Sequence, residues 1–382
     1  MPEALPIYEG AIDKGLEGVV ACSTAVSTIH DTTLVYRGYT IEDLAEHSTF
    51  EEVIYLLWNG RLPKAQELQS LKQELSKEYA LPAGLISVLR TIPANGVHPM
   101  TWLRTAVSLL AHWDKQTDDI ADQANHAKAI RLVAKMGTLV CAFDAIRNGR
   151  EPVAPKADKS IAWNFMYMLN GGKEPSADFV KVFDTCLILH ADHELNCSAF
   201  AMRVTTSSLS DMHSATASAL GALKGPLHGG ANEQVMLMLK QIGTISKAQE
   251  FVKATLAAQG KVMGIGHRVY KHGDPRAAIL RKISDQLTAK IGEHHWYEMS
   301  ILIDDTMNKE KGLMPNVDFY SATVYYSMGI PIDIFTPIFA VSRISGWIAH
   351  AFEQYAHNRI YRPRGKWVGQ VGLKWSPLNE RG

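Results

Sequence analysis

Strand patterning in this chain is confined to one short stretch. Residues 17–36 alternate Val, Thr and Ser loosely and break near His30 and Asp31, which predicts a single hairpin. Beyond it, apolar residues recur at helical spacing and the gaps carry helix start and stop signals. Ser48-Thr49-Phe50-Glu51-Glu52 is a capping-box sequence ahead of Val53, Ile54 and Leu57, closed by Gly60 and Pro63. From Ser176 onward Phe179, Phe183, Cys186, Leu187 and His190 share one face, and continuing the helix would place His193 within about 60° of His190. Lys224-Gly225-Pro226 stops a small-residue helix over 214–223 and is a hinge candidate. Asp274-Pro275-Arg276 supplies an N-cap and a proline at the first helical position, ahead of Leu280, Ile283, Leu287 and Ile291. Segments 114–130 and 147–159 are charged or turn-rich and are expected to be solvated helix ends and loops. The chain reads as all-α with a short N-terminal β-hairpin. Its 382 residues exceed the size at which one core usually stops growing, so two domains are expected.

Thirty-nine Lys and Arg balance thirty-nine Asp and Glu, which argues against a nucleic-acid or anionic-membrane surface while leaving room for a local basic pocket. Cys22, Cys141, Cys186 and Cys197 form no CxxC pair and no disulfide framework, as in a reducing compartment. Met-Pro-Glu-Ala-Leu-Pro at the N-terminus has neither a basic n-region nor an apolar h-region, so a cytoplasmic location is expected. The most apolar run, residues 330–344, carries Asp333, Arg343 and two prolines and is too short for a bilayer span.

The chemistry concentrates between residues 190 and 364. His228 opens the string His-Gly-Gly-Ala-Asn-Glu just before a helix, whose positive end would disfavour the imidazolium; a neutral ring there can donate a hydrogen bond to a carbonyl. It could equally be a turn histidine capping a neighbouring carbonyl. His267 follows Gly264 and Gly266, whose missing side chains let backbone amides approach a ligand, although the third glycine of a dinucleotide fingerprint is absent. Asp318, between Pro315-Asn316 and Phe319-Tyr320, would sit in a turn against apolar surface, where desolvation raises its basicity and suits proton abstraction beside a carbonyl; a simple Asx-turn is the alternative. His190, His193, Glu194, His213 and His228 could form a metal cluster, but the HExxH order is wrong and no Cys partner is near, so no metal is expected. Arg343 stands on an apolar helix over 335–352 and needs an anionic partner, either a structural carboxylate or a substrate. With Arg276 and the Arg362-Pro363-Arg364 tail it makes three guanidinium sources suited to a small polycarboxylate.

Taken in order, "GVVACSTAVSTI", "LVYRGYTIEDLAE", "LILHADHELNCSAFAMRV", "GALKGPLHGGANE", "GIGHRVYKHGDPRA" and "VDFYSATVYYSMGIP" with "FTPIFAVSRISGWIAHAFEQ" resemble the motifs of the citrate synthase family over most of the chain. The resemblance implies a two-domain, citrate-synthase-like helical homodimer, with a large domain over 1–227 and 325–382 and a small one over 228–324. It implies that oxaloacetate binds first and that the cleft then closes over acetyl-CoA. Catalytic roles would fall on Asp318, removing a methyl proton, His228, bonding the thioester oxygen, and His267, polarising the ketone, after which citryl-CoA is hydrolysed. His193, Arg276, Arg343 and Arg362 match ligands of oxaloacetate and citrate, Arg362 reaching the partner subunit's site. Val262, Met263, Gly264, Ile265, Gly266 and Lys271 would meet CoA, which is a substrate, so no cofactor is implied. Ala322 departs from a glycine common in the family and Trp367 from a frequent tyrosine. A 2-methylcitrate synthase using propionyl-CoA would share every catalytic residue, and one methylene is worth only about 1–3 kcal/mol. From other classes, a catalytically silent binding relative and a metal-dependent hydrolase remain open readings.

Overall fold

The computed structural model describes residues 14–30, 32–267, 270 and 273–381. Contacts divide the chain into Thr24–Arg359 and a terminal unit, of which residues 14–23 and 360–381 are described. The terminal unit has two short 3₁₀ turns, Lys14–Leu16 and Leu378–Glu380, and exposes Val368, Trp375 and Leu378.

Within Thr24–Arg359 the predicted hairpin is present as β1 (Ser27–His30) and β2 (Thr33–Tyr36), and a third strand, β3 (Tyr39–Thr40), extends it into an antiparallel sheet. Helices α1 (Ile41–His47), α2 (Phe50–Asn59), α3 (Ala65–Glu78), α4 (Ala83–Thr91), α5 (Pro99–Leu110) and α6 (Asp122–Arg147) follow. Next come α7 (Ile161–Leu169), α8 (Ala177–His190), α9 (Cys197–Ser207) and α10 (Met212–Leu223). Then α11 (Ala231–Ile242), α12 (Ile245–Ala257), α13 (Pro275–Lys290), α14 (His295–Lys311), α15 (Val317–Ser327) and α16 (Phe335–Ala356) complete the fold.

The cap signals are realised. Thr49 and Glu52 exchange both bonds of the capping box at α2, which ends on Gly60 in the left-handed conformation. Asp274 caps α13 with Pro275 in its first turn. Helix α10 stops at Leu223 ahead of the Gly-Pro pair.

Three expectations change. Residues 125 and 128–130 lie within the buried part of α6, so the charged segment is only partly solvated. Lys128 is buried because its ammonium donates to the carbonyls of Thr117 and Asp119, satisfying the charge inside the fold. Helix α8 ends at His190, so His193 is not on it. The ladder stops where distant groups take the next amides: Asp192 N–H donates to the Tyr36 hydroxyl at 3.1 Å and Glu194 N–H to Ser27 Oγ at 2.7 Å. Finally, the apolar run around 330–344 belongs to a longer helical stretch, Ile332–Ala356, which by length and composition could cross a bilayer; 89% of its apolar 18-residue window is buried inside the protein, against α2, α5, α6, α8, α9 and α10. It is a core helix. The later helices pack chiefly on one another, α13 and α11 on α15 and α12 on α14.

Candidate active site

The turn after α8 aims His193 inward. Its ring lies 5.1 Å from that of His267, with Tyr270 4.7 Å from His267 and 5.5 Å from His193. Backbone hydrogen bonds carry His267 to this place. Gly266 N–H donates to Met314 O at 2.8 Å, and Asn316 N–H to Gly264 O at 2.9 Å, stitching 264–266 to the chain entering α15. A side chain at Gly264 would meet Val235 Cγ2 at 2.6 Å and Phe319 Cα at 3.0 Å, and the residue adopts φ +75°, so only glycine allows this approach. Of the expected CoA contacts, Val262 is buried and Met263 and Ile265 half-buried beside this strip, while Lys271 lies outside the described residues.

Asp318 is held in the first turn of α15 rather than in a free turn, because Asn316 caps that helix by accepting from Asp318 N–H. Its side chain is buried, and Oδ1 has no hydrogen-bond partner among the described residues. Burial pushes its carboxyl up to about 7, against the opposing pull of Arg276 and Arg343. A carboxylate so poised can accept a proton near neutral pH.

The imidazoles stay uncharged. Burial, then the charge of Arg343, rather than the end of α11, draws His228 down to about 4. His193 falls well below its usual value through burial, then Arg276, His267 and Arg343. His267 is lowered by burial and Arg276. Their tautomers follow from their partners. Ser198 N–H donates to His228 Nε2 at 3.3 Å and the Ser198 hydroxyl lies 2.8 Å from it, so Nε2 accepts and Nδ1 carries the proton. Trp347 Nε1 donates to that hydroxyl at 3.0 Å. Tyr270 N–H donates to His267 Nδ1 at 3.3 Å, which puts the proton on Nε2.

The two buried arginines differ. Arg276 donates through Nε and a terminal nitrogen to Asp274 at 3.0 and 2.8 Å, so the helix cap is also its counter-ion. Arg343 donates Nε to His190 O at 2.7 Å and lies over the Phe339 ring at 4.7 Å. No carboxylate reaches ion-pair distance among the described residues, and burial draws its guanidinium down to about 10, still charged at neutral pH. His190 is buried beside it with Nε2 unpartnered among the described residues. Arg362 belongs to the terminal unit and is exposed. No three potential metal ligands are grouped among the described residues.

Sequence reasoning missed Asp274 as partner of Arg276, Ser198 and Trp347 as supports of His228, and the Asp192–His350 pair behind His193 at 3.2 Å. Asp274 and Asp192 stand inside quoted motifs, but only the fold says what they touch.

A buried carboxyl near Arg276 and Arg343, in a helical fold that also holds neutral imidazoles, has the inventory of a transferase that forms carbon–carbon bonds through an enolised carbonyl compound. The family profile described as citrate synthase, C-terminal domain, matches residues 15–364, and the chain belongs to the citrate synthase family. It is 55% identical over 368 residues to "Citrate synthase 2" of Bacillus subtilis, covering 96% of this chain and 99% of that one. "Citrate/2-methylcitrate synthase" of the same organism is 42% identical, covering 93% and 96%. The solved ternary complex of carboxymethyl coenzyme A and oxaloacetate with citrate synthase from Thermoplasma acidophilum superimposes with a TM-score of 0.91 at 33% identity, covering 97% of this chain and all of that one.

Proposed function

We propose that the protein condenses acetyl-CoA with oxaloacetate and hydrolyses the resulting citryl-CoA to citrate and CoA. The observation that carries this reading is the buried Asp318 carboxyl, whose Oδ1 has no hydrogen-bond partner among the described residues. Its carboxylate takes a methyl proton from the thioester, and the electron pair moves toward the thioester oxygen, which His228 Nδ1–H holds. The enolic carbon attacks the ketone of oxaloacetate, whose oxygen receives the His267 Nε2 proton; water then releases CoA from the thioester. Arg343, Arg276 and His193 bind the carboxylates of oxaloacetate, Arg343 being the buried guanidinium with no carboxylate at ion-pair distance among the described residues. The strip from Val262 to Gly266 and Lys271 receive CoA.

The reading extends to a homodimer in which Arg362 completes the partner's site, to a cytoplasmic location, and to a cleft closing between residues 228–324 and the rest. The exposed Val368, Trp375 and Leu378 support pairing, since apolar side chains in such number favour burial against a second copy. Thiol release from acetyl-CoA is expected only with oxaloacetate present; no release would refute the reaction. A rate with propionyl-CoA exceeding that with acetyl-CoA would favour the 2-methylcitrate reading instead. Mixing inactive His267→Ala with inactive Arg362→Ala protomers should restore up to half the wild-type activity per mixed dimer, and none would exclude the shared site.

A further inference from the structure

Three helix N-termini converge on the carboxylate of Glu233. It stands in the first turn of α11 and is buried. Oε1 accepts from the Thr336 backbone N–H at 3.3 Å and from the Thr336 hydroxyl, in the first turn of α16. Oε2 lies 3.2 Å from Nε2 of His98, the residue that caps α5. Because Nδ1 of His98 accepts the Met100 N–H at 3.2 Å, its Nε2 carries a proton and donates to Glu233. Each carboxylate oxygen is thus committed to an N–H donor.

The Thr336 oxygen stands 3.3 Å from the carbonyl oxygen of Gly229, the residue next to His228, with its one proton given to Glu233. On its other side Gly229 donates its N–H to Leu223 O at 2.9 Å, and a side chain there would strike that oxygen at 2.7 Å. The segment entering α11 is therefore gripped from α10, α16 and α5, while the His228 ring is gripped by Ser198 of α9. The peptide plane joining His228 to Gly229, held by the Leu223 carbonyl, fixes where the His228 Cα stands, and Ser198 fixes which nitrogen faces away.

We infer that Glu233 is a positioning residue: by tying the first turn of α11 to α16 at Thr336 and to α5 at His98, it sets the direction of His228 Nδ1–H for the thioester oxygen. The inference deepens the condensation reading and rests on it. An amide cannot replace this carboxylate, because the His98 and Thr336 N–H groups both need an acceptor and glutamine offers one; His98 cannot change tautomer without opposing the Met100 N–H.

The test uses the whole protein carrying ¹⁵N-histidine, as wild type, Glu233→Gln, Thr336→Val and Thr336→Ser. In the wild type the His228 ring should show a bare Nε2 and a protonated Nδ1. Glu233→Gln and Thr336→Val should disturb that signature and lower kcat by about 10- to 100-fold, as a misplacement near 1 Å does, with the oxaloacetate KM within about twofold. Thr336→Ser should keep the wild-type ring signature and rate. Exchange of acetyl-CoA methyl protons in deuterated water with a dicarboxylate lacking the ketone should slow by the same factor as kcat. An unchanged His228 signature in Glu233→Gln overturns the inference, as does a loss that tracks oxaloacetate affinity and Tm together. Absence of oxaloacetate-dependent thiol release in the wild type would instead sink the condensation reading, and the ring signature would still decide the role of Glu233.

Discussion

Asp192 and Asp318 are both buried carboxylates, yet their surroundings are opposite. Asp192 Oδ2 accepts from the Ser27 hydroxyl at 2.6 Å and pairs with His350, which takes Arg203 Nε on its other nitrogen at 3.1 Å. Arg203 in turn pairs with Glu353, which also holds Arg37, Thr24 and the Ala25 amide. Burial alone would raise Asp192, but His350, Arg343 and Ser27 outweigh it and hold it below the usual carboxylate range. Asp318 has no such partners, and burial raises it to about 7. Both carboxylates leave Oδ1 unpartnered among the described residues, but Asp192 is held charged by His350, Arg343 and Ser27, whereas Asp318 keeps its burial cost in a site where His190 Nε2 and His193 Nε2 are also unpartnered, a cost that a ligand can recover.

The comparison can be broken most forcefully at Asp318. Asp318→Asn should lower condensation by at least roughly 10²- to 10⁴-fold while leaving Tm unchanged or higher, since the amide cannot accept a proton and removes a desolvated carboxyl. Near wild-type turnover would undo its role as base. On the scaffold side, Arg203→Leu should destabilise the fold by about 3 kcal/mol, the lower end for a broken buried pair because Glu353 is only half-buried, measured by denaturant unfolding. Arg343→Leu should do the reverse: stability nearly unchanged, and oxaloacetate binding weakened by about 1.5–3 kcal/mol in calorimetry. Unaltered affinity there would make Arg343 a structural residue.

The smallest effects are in pH. As the proposed base, Asp318 would have to be deprotonated to act, so kcat/KM should fall about tenfold per unit as the pH drops below about 7. Its stability contribution has the sign of a raised carboxyl: present below the unfolded value of about 3.9 and lost as the pH rises toward 7. Asp192, held low, contributes above about 3.9 and loses that as the pH falls. The Tm advantage of Asp318→Asn over wild type should therefore grow from pH 4 to pH 8; a pH-independent difference would contradict the assigned desolvation.

The scaffold's local grammar was legible in the chain. Thr49 with Glu52, Asp274 with Pro275 and the stop before Gly225 act through neighbours a few residues away, and all three form as read. Most of the misread features depend on partners further off. Tyr36 and Ser27 end α8 from more than 150 residues away and the burial of Lys128 needs the preceding loop to fold over it, whereas the Asn316 cap that puts Asp318 in a helix is a neighbour whose signal was readable and missed. The identities of the site residues could be proposed from type and motif, but the counter-ion of Arg276 and the support of His228 could not, because spacing carries no information about what touches a guanidinium or a ring.

Helix α16 carries Phe339 and Arg343 in its first half and Trp347, which supports Ser198, with His350 and Glu353 of the scaffold in its second half, all on one continuous rod. A substitution can alter one of these at a time, but a change in length cannot. One residue inserted between Arg343 and Trp347 would turn everything downstream by about 100° and advance it about 1.5 Å, taking His350 from Asp192 and Glu353 from Arg203 in the same event. Lineages derived from such a sequence are free to vary the letters of this helix within limits, while its count of residues is locked, so gaps in any set of its descendants should fall in the loops and never between positions 339 and 353.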